Sequence, residues 1–183
     1  LDALMNDDGI KLKNELLELK AGNYYDISKN LRVEFVNSTH STPETVFAVL
    51  HTKEGAVVYA NDYKLDNHPV IGEHPDYGRL RKIASKGVLC LIIDSLYSNY
   101  DMKTPSEKVA KEMLKDVLFG TNNREQAIFV TTFASHIARL KSITEFGEKL
   151  GRKIVFLGRS LAKYTLAAQN AGIKVVALAT NIP

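Results

Sequence analysis

The stretch of residues 33–66 constrains the fold more than any other part of the sequence. It reads VEFVNSTHSTPETVFAVLHTKEGAVVYANDYKLD. Apolar or alternating runs at residues 31–37, 45–52 and 56–60 are separated by short polar segments, and Lys53-Glu54-Gly55 is typical of a hairpin turn. Successive strands joined by tight turns predict an antiparallel sheet.

Two candidate metal ligands follow strands of this predicted sheet. His40 lies just beyond the first strand and Asp62 just beyond the third. A neutral imidazole and a carboxylate are both good zinc ligands. Each residue also has an ordinary explanation, because His40 would bond a loop carbonyl and Asp62 would form a turn beside Asn61. We interpret the pair as part of a dinuclear zinc site whose other ligands are not in this sequence.

The character of the sequence changes near residue 96. Just before that point, residues 88–93 (VLCLII) form a continuous apolar run, which predicts a central strand ending at Asp94. A carboxylate there is costly unless it is paired or exposed at the rim of the sheet, where sites are built, and Asp94 would equally cap the following loop.

Beyond residue 96, alternating helices and strands predict an α/β unit with a doubly wound, parallel, flavodoxin-like sheet. The predicted strands are residues 127–131, 153–157 and 174–178, and the predicted helices are residues 104–119, 135–150 and 160–171.

Two loops of the second half place a serine at the start of a predicted helix. The serines are Ser135 and Ser160, and the second loop also carries Arg159. Free N–H groups and the positive end of the helix dipole favour phosphate at such a position, and an arginine binds phosphate bidentately. Ordinary N-capping explains both serines equally well, so phosphate binding and simple capping both remain open.

Composition adds limits but no activity. The 45% hydrophobic and 25% charged content is ordinary for a globular protein, and no apolar run approaches the roughly 20 residues that span a membrane. The net charge of +3 is too small to identify an anionic partner. Cys90, inside an apolar run, predicts a buried inert thiol and a reducing cytoplasm. Leu1 in place of Met, and a strand-like run near the other end, indicate cuts through a larger protein.

Several segments together resemble a known family. The 33–66 stretch, GVLCLIIDSLYSN, TTFASHIARL and GRKIVFLGRS are similar, in this order, to ribonuclease J, and most closely to its archaeal members. The resemblance implies a zinc-dependent ribonuclease built from a metallo-β-lactamase-fold domain and a β-CASP domain. Residues 1–96 would be the C-terminal portion of the metallo-β-lactamase core, and residues 97–183 would be an incomplete β-CASP domain.

The resemblance also implies roles for individual residues. His40 would be a ligand to one zinc, and Asp62 would bridge two zincs. Asp94 would be the catalytic acidic residue that orients a later histidine as a general acid. The positions that would face the RNA are Ser135, Arg159 and Ser160.

Departures from the family pattern limit what the chain does alone. The His-x-His-x-Asp-His signature and the late β-CASP histidines are absent from the sequence. Because zinc sites use three or four protein ligands, we expect weak zinc binding or none, and no hydrolysis of single-stranded RNA by this chain alone. The intact relative would act mainly as a 5′→3′ exonuclease, with endonuclease activity in some members. An uncovered sheet face leaves homodimerisation open.

Two other functions remain open. One is an archaeal endonuclease of the cleavage and polyadenylation type, which shares the β-CASP motifs; Asp94-Ser95 and the Gly158-Arg159-Ser160 loop favour ribonuclease J over it. The other is a non-catalytic α/β module that binds a nucleotide phosphate at the serine-capped loops.

Overall fold

The computed structural model describes residues 13–175 as a five-stranded mixed sheet and four helices. The elements, in chain order, are β1 (Tyr24–Ser28), β2 (Leu31–Asn37), β3 (Val46–His51), β4 (Ala56–Tyr59), α1 (Tyr77–Ala84), β5 (Val88–Ile92), α2 (Glu107–Gly120), α3 (Ile137–Lys149) and α4 (Arg159–Asn170). Among these residues no helix has the length and apolarity needed to cross a bilayer.

The strands are ordered β1-β2-β3-β4-β5 across the sheet. The first four pair as antiparallel neighbours, and β5 pairs with β4 in parallel after the chain has crossed over through α1. β2, β4 and β5 therefore run in the same direction, so their carboxyl ends lie at one edge of the sheet. We call this the C-terminal edge.

One face of the central strands forms a hydrophobic core beneath α1. Alternate side chains of β2, β3 and β4 are buried, as a period of two requires, and Ile83 of α1 packs against them. The core residues are Val36, Phe47, Val49, Ala56, Val58, Ala60 and Ile83. A second, smaller cluster joins α3 to α4 through Ile137, Leu140, Ala168 and Val175.

A charged side chain interrupts the first core. Glu34 of β2 is only 2% exposed. Arg79 of α1 donates two hydrogen bonds to its carboxylate, one to Oε1 and one of 2.7 Å to Oε2, and His51 Nε2 of β3 lies 2.7 Å from Oε2. Burial by itself raises the pKa of Glu34, but the contacts with Arg79 and His51 lower it below its usual value overall. The carboxylate thus stays ionised and ties α1 to two strands.

The antiparallel sheet and the helices of the sequence analysis are confirmed in type. The strands predicted over residues 31–37, 45–52 and 56–60 are β2, β3 and β4, and each predicted helix of the second half matches one of α2, α3 and α4. Residues 13–20 form no helix or strand, and residues 1–12 lie outside the described part. β1 was not predicted from the sequence.

The prediction of a central strand over residues 88–93 is wrong. β5 lies at the edge of the sheet, and all five of its side chains are exposed. Cys90 is exposed with them, contrary to the prediction of a buried thiol. An apolar run predicts that other parts of a protein cover the strand, but it does not identify those parts. Within residues 13–175, no strand pairs with the outer edge of β5 and its side chains stay exposed.

The doubly wound parallel sheet is also not found in the described residues. Residues 127–131 and 153–157 form no strand, because no ladder of backbone hydrogen bonds joins them to each other or to another segment. Both segments line a cavity of about 660 Å³ beside Leu140 of α3 and Leu161 of α4. Of the third predicted strand, residues 174–175 are not in a strand and residues 176–178 lie outside the described part.

We predict that Arg79→Ala lowers the free energy of unfolding by about 2–3 kcal/mol, because it leaves the buried Glu34 carboxylate with only His51. The loss should be smaller than the roughly 3–5 kcal/mol of a fully buried pair, since the Arg79 side chain is 38% exposed. Urea unfolding followed by circular dichroism measures it. Arg81→Ala, an exposed arginine of the same helix, is the matched control and should change stability by less than about 0.5 kcal/mol. Equal losses in both variants would contradict the assignment.

Candidate active site

Three predicted site residues follow strands that end at the C-terminal edge. β2 ends at Asn37, three residues before His40; β4 ends at Tyr59, three residues before Asp62; and β5 ends two residues before Asp94. All three side chains are exposed. The topology therefore places an imidazole and two carboxylates at the same edge of one sheet, in three loops that solvent reaches.

The loops that carry His40 and Asp62 are held together by Thr39. Its carbonyl accepts a hydrogen bond of 2.8 Å from Lys64 N. Its hydroxyl donates to Lys64 O at 3.1 Å and accepts from Asp66 N at 2.9 Å. Thr39 is next to His40, and Lys64 is two residues beyond Asp62, so these bonds fix the two candidate ligands relative to each other through the backbone.

The local geometry of each candidate ligand leaves a donor atom available. His40 Nδ1 lies 3.1 Å from Ser41 Oγ, which orients the ring and leaves Nε2 without a protein partner among the described residues. Asn61, just before Asp62, has a left-handed backbone with φ of 50°, a conformation that asparagine tolerates better than most residues. This turn carries the Asp62 carboxylate out of the sheet into solvent.

Asp94 has a structural role in the loop after β5. Its Oδ1 accepts a hydrogen bond of 2.9 Å from Leu96 N, which is the loop-capping alternative raised by the sequence. Oδ2 has no hydrogen-bond partner among residues 13–175. Capping and a role at the edge use different oxygens, so one does not exclude the other.

The amino end of α3 contacts the same edge. Ile137 N donates to Ser41 O at 3.1 Å, beside His40, and His136 N donates to Phe133 O at 3.0 Å. The segment of residues 133–136, which includes Ser135, therefore lies against the loop that carries His40. The prediction that Ser135 caps the helix is wrong: the N-cap is His136, whose Nδ1 accepts from Arg139 N at 3.3 Å.

Arg159 and Ser160 are not brought to this edge by any contact among the described residues. Both are exposed at the start of α4. The predicted cap at Ser160 is wrong, because the N-cap is Gly158, with φ of 120° and no side-chain bond, and Ser160 lies inside the helix. A glycine fits there since a side chain would be strained at that φ.

Sequence reasoning missed a cluster of charged side chains behind the candidate ligands. We call it the junction; its members are Lys64, Asp66, Glu107, His136 and Arg139. Asp66 and Glu107 are 5% and 4% exposed. Asp66 Oδ2 accepts from Glu107 N, the first residue of α2, at 2.7 Å, which joins the loop after β4 to that helix.

Glu107 extends the junction to α3. Arg139 donates to both carboxylate oxygens of Glu107, with Nε 2.5 Å from Oε1 and Nη2 2.9 Å from Oε2. His136 Nε2 lies 3.4 Å and Lys64 Nζ 3.8 Å from Oε2. Partners 32 residues apart in sequence give no periodic signal, and the only local sign is a glutamate that follows a serine N-cap at the start of a helix.

Burial and charge set the protonation of the junction. Burial alone raises the pKa of Asp66, but hydrogen bonds from Glu107 N, Ser106 and His68 N, together with the charge of Lys64, lower it overall. Burial lowers the pKa of His136; Glu107 opposes this, while Arg139 and Lys64 reinforce it, and the result lies below the usual value. Since Nδ1 of His136 accepts from Arg139 N, the ring is neutral with its proton on Nε2, facing Glu107.

A small cavity of about 30 Å³ lies between the junction and the loop of His40. His40, Lys64, Glu107 and His136 are among its lining residues. Ser38 also lines it, and its hydroxyl is buried without a hydrogen-bond partner among the described residues. The cavity is close to the size of one water molecule, so the polar groups behind the edge are packed tightly.

The described residues do not complete a metal site. Within residues 13–175, no group of three or more His, Cys, Asp or Glu side chains is arranged to hold a metal ion. His40 and Asp62 supply donors of the right chemistry for zinc, an imidazole nitrogen and carboxylate oxygens. Two donors fall short of the three or four protein ligands that zinc sites use.

Comparison with known proteins finds similarity to one family. The family model described as "Ribonuclease J, beta-CASP domain" matches residues 125–181. Ribonuclease J of Methanocaldococcus jannaschii is 44% identical, and that of Pyrococcus abyssi 45% identical, each over 170 residues. The chain is a homologue of ribonuclease J. Both alignments cover 93% of this chain and 38% of the relative, so this ribonuclease J homologue spans well under half the length of the curated relatives it matches.

A solved structure shares the fold. A protein of unknown function from Enterococcus faecalis V583 superposes with a TM-score of 0.54, covering 94% of this chain and 40% of that one. The sequences are only 19% identical, so this likeness shows a shared fold and nothing more about the ribonuclease J homologue.

We predict that protonation of His136 lowers the free energy of unfolding as the pH drops below 6.5, the pKa of a free histidine. Its folded-state pKa is lowered, so below 6.5 the unfolded chain binds a proton that the folded chain resists, and the folded state loses its advantage. His136→Asn keeps an N-cap acceptor but does not titrate, so it should flatten the decline between about pH 7.5 and 5.5. Urea unfolding across that range measures the slope.

The control for this prediction is His68→Asn, which alters an exposed histidine outside the junction. It should keep the wild-type slope. The assignment fails if His136→Asn and the wild type lose stability in parallel as the pH falls.

Proposed function

We propose that this chain is part of a zinc-dependent ribonuclease that hydrolyses phosphodiester bonds of single-stranded RNA. The observation that carries the proposal is the shared C-terminal edge, where β2, β4 and β5 deliver His40, Asp62 and Asp94 to neighbouring loops. Homology to ribonuclease J gives this arrangement its chemical meaning, because relatives of that name align over 93% of the chain.

In this proposal, His40 and Asp62 are metal ligands. His40 would bind through Nε2, which faces solvent while Nδ1 is held by Ser41. Asp62 would hold the same zinc site through its carboxylate. A pair of such ions supplies a water of lowered pKa and a clamp for the phosphate oxygens. The remaining ligands would come from outside the described residues.

Asp94 and the amino end of α3 would act on the RNA side of the edge. Asp94 would use Oδ2 to hold the group that protonates the departing oxygen, since Oδ1 is engaged by Leu96 N. Ser135 would contact a phosphate next to the loop of His40. Arg159 and Ser160 are exposed at the start of α4 and would contact the RNA at a greater distance from the C-terminal edge.

The domain assignment follows the same line. Residues 1–96 would form the C-terminal portion of a metallo-β-lactamase core, and residues 97–183 would belong to a β-CASP domain. The family match over residues 125–181 supports the second half of this division. The intact enzyme would degrade RNA mainly from the 5′ end, with some endonuclease activity, in the cytoplasm.

We predict that residues 1–183 alone do not cleave RNA, because only two candidate zinc ligands stand at the edge and a zinc site needs three or four. A gel assay with 5′-labelled single-stranded RNA, with and without added zinc, measures cleavage. Isothermal titration with zinc should show weak binding or none. Cleavage by this chain that a chelator abolishes would contradict the prediction.

We predict that Asp62→Asn in the complete protein lowers zinc-dependent cleavage by more than about 100-fold, since loss of an outer-shell partner alone typically costs 10- to 100-fold. The bound zinc, measured by mass spectrometry of the metal, should fall in parallel. Asp116→Asn makes the same charge change at an exposed position of α2 and is the matched control. Full activity in Asp62→Asn would overturn the ligand assignment.

A further inference from the structure

The junction joins three parts of the chain that are distant in sequence. Glu107 is the residue that all of them contact: its backbone N–H binds Asp66 of the loop after β4, and its carboxylate binds Arg139 and His136 of α3. No other described residue outside these two segments forms hydrogen bonds to both the loop after β4 and α3. Loss of the Glu107 carboxylate would therefore free the amino end of α3 from α2 and from the loop that the Glu107 N–H holds.

The junction is balanced in charge. Lys64 and Arg139 carry two positive charges, Asp66 and Glu107 carry two negative charges, and His136 is neutral in its Nε2-protonated form. The acids are almost completely buried, where an unbalanced charge is expensive. A neutral glutamine at position 107 would leave Lys64 and Arg139 facing a single carboxylate, so the arrangement would loosen even though the shape is preserved.

The junction lies directly behind the candidate active site. The loop after β4 carries Asp62 on one side of Lys64 and Asp66 on the other, and Thr39 ties this loop to His40. The amino end of α3 carries the segment with Ser135 on one side of His136 and the Glu107 contacts on the other. Both surfaces of the proposed reaction are thus anchored on Glu107, the loop after β4 through the backbone N–H and the amino end of α3 through the carboxylate.

We propose that Glu107 is a positioning residue that holds the loops of His40 and Asp62 in register with the Ser135 segment of α3. It touches neither metal nor RNA in this arrangement and acts through Asp66, His136 and Arg139. The inference deepens the proposed function, because it explains how metal ligands on a sheet edge and an RNA-contacting segment on a helix keep one relative placement. Its structural part is independent of whether the chemistry is that of a ribonuclease.

The first test measures the junction in the chain itself by amide hydrogen exchange. In Glu107→Gln, the amide of Ile137, which bonds from α3 to Ser41 of the His40 loop, should exchange roughly 10- to 100-fold faster. Amides that pair β2 with β3 should keep their wild-type rates. Glu112→Gln removes an exposed carboxylate of the same helix, paired only with Lys115, and should change neither set.

Two outcomes of the exchange experiment would overturn the proposal. An unchanged rate for Ile137 would show that the Glu107 carboxylate does not hold the amino end of α3 against the His40 loop. An equal acceleration of the Ile137 amide and of the β2–β3 amides would show that Glu107 contributes only to global stability. If Glu107→Gln does not fold, Arg139→Lys tests the same point, since it keeps the charge balance but loses the two-pronged bond, and the same two outcomes decide it.

The second test measures catalysis in the complete protein. Glu107→Gln should lower kcat for single-stranded RNA about 10- to 100-fold with little change in KM and unchanged zinc content, because small misplacements of reacting groups cost rate rather than binding. A wild-type kcat would overturn the positioning role. Absence of nuclease activity in the wild-type protein would instead count against the proposed function, while the exchange experiment would still decide the role of Glu107.

Discussion

The parallel pairing of β5 with β4 determines that the loops of His40, Asp62 and Asp94 follow the same edge of the sheet. If β5 had continued the antiparallel order, its carboxyl end would lie at the opposite edge of the sheet, away from His40 and Asp62. The crossover through α1 turns the chain so that β2, β4 and β5 all end on one side. Backbone hydrogen bonds such as Ala60 N to Ile92 O, 2.9 Å long, fix that relation at the start of the loops. The candidate site is therefore a consequence of sheet topology before it is a matter of individual residues.

Buried carboxylates join the layers of this structure, and they do so in two different ways. Glu34 ties α1 to the sheet through Arg79 and His51, and it lies well inside the first core. Glu107 ties two helices to a loop at the rim, next to the candidate ligands. Both are expensive groups to bury, so each comes with a bidentate arginine. The first contact stabilises the scaffold, whereas the second controls the relative position of segments that carry proposed function.

Local pattern predicted most of the elements but few of the contacts between them. Alternation, turn residues and helix periodicity are local signals. The sequence therefore predicted β2, β3, β4 and the three helices α2, α3 and α4 to within a few residues of their bounds. The edge position of β5 and the exposure of Cys90 depend on what lies nearby in space, and the sequence does not display that. His40, Asp62 and Asp94 could be named because each follows a strand. Glu107 could not, because its partners Asp66 and Arg139 are 41 and 32 residues away.

The hydrogen bonds of Thr39 bear on how the proposed zinc ligands would be assembled. In small zinc domains the metal holds the chain together, and the ligands are not placed until it binds. Here the loops of His40 and Asp62 are already joined by three bonds between Thr39 and residues 64 and 66, and the junction supports them from behind. Because Thr39 joins these loops through their backbones, a metal bound by His40 and Asp62 would rest on a backbone that protein contacts support. Such preorganisation favours precise catalytic geometry. The paired and hydrogen-bonded carboxylates of Asp66 and Glu107 support it from behind the loops.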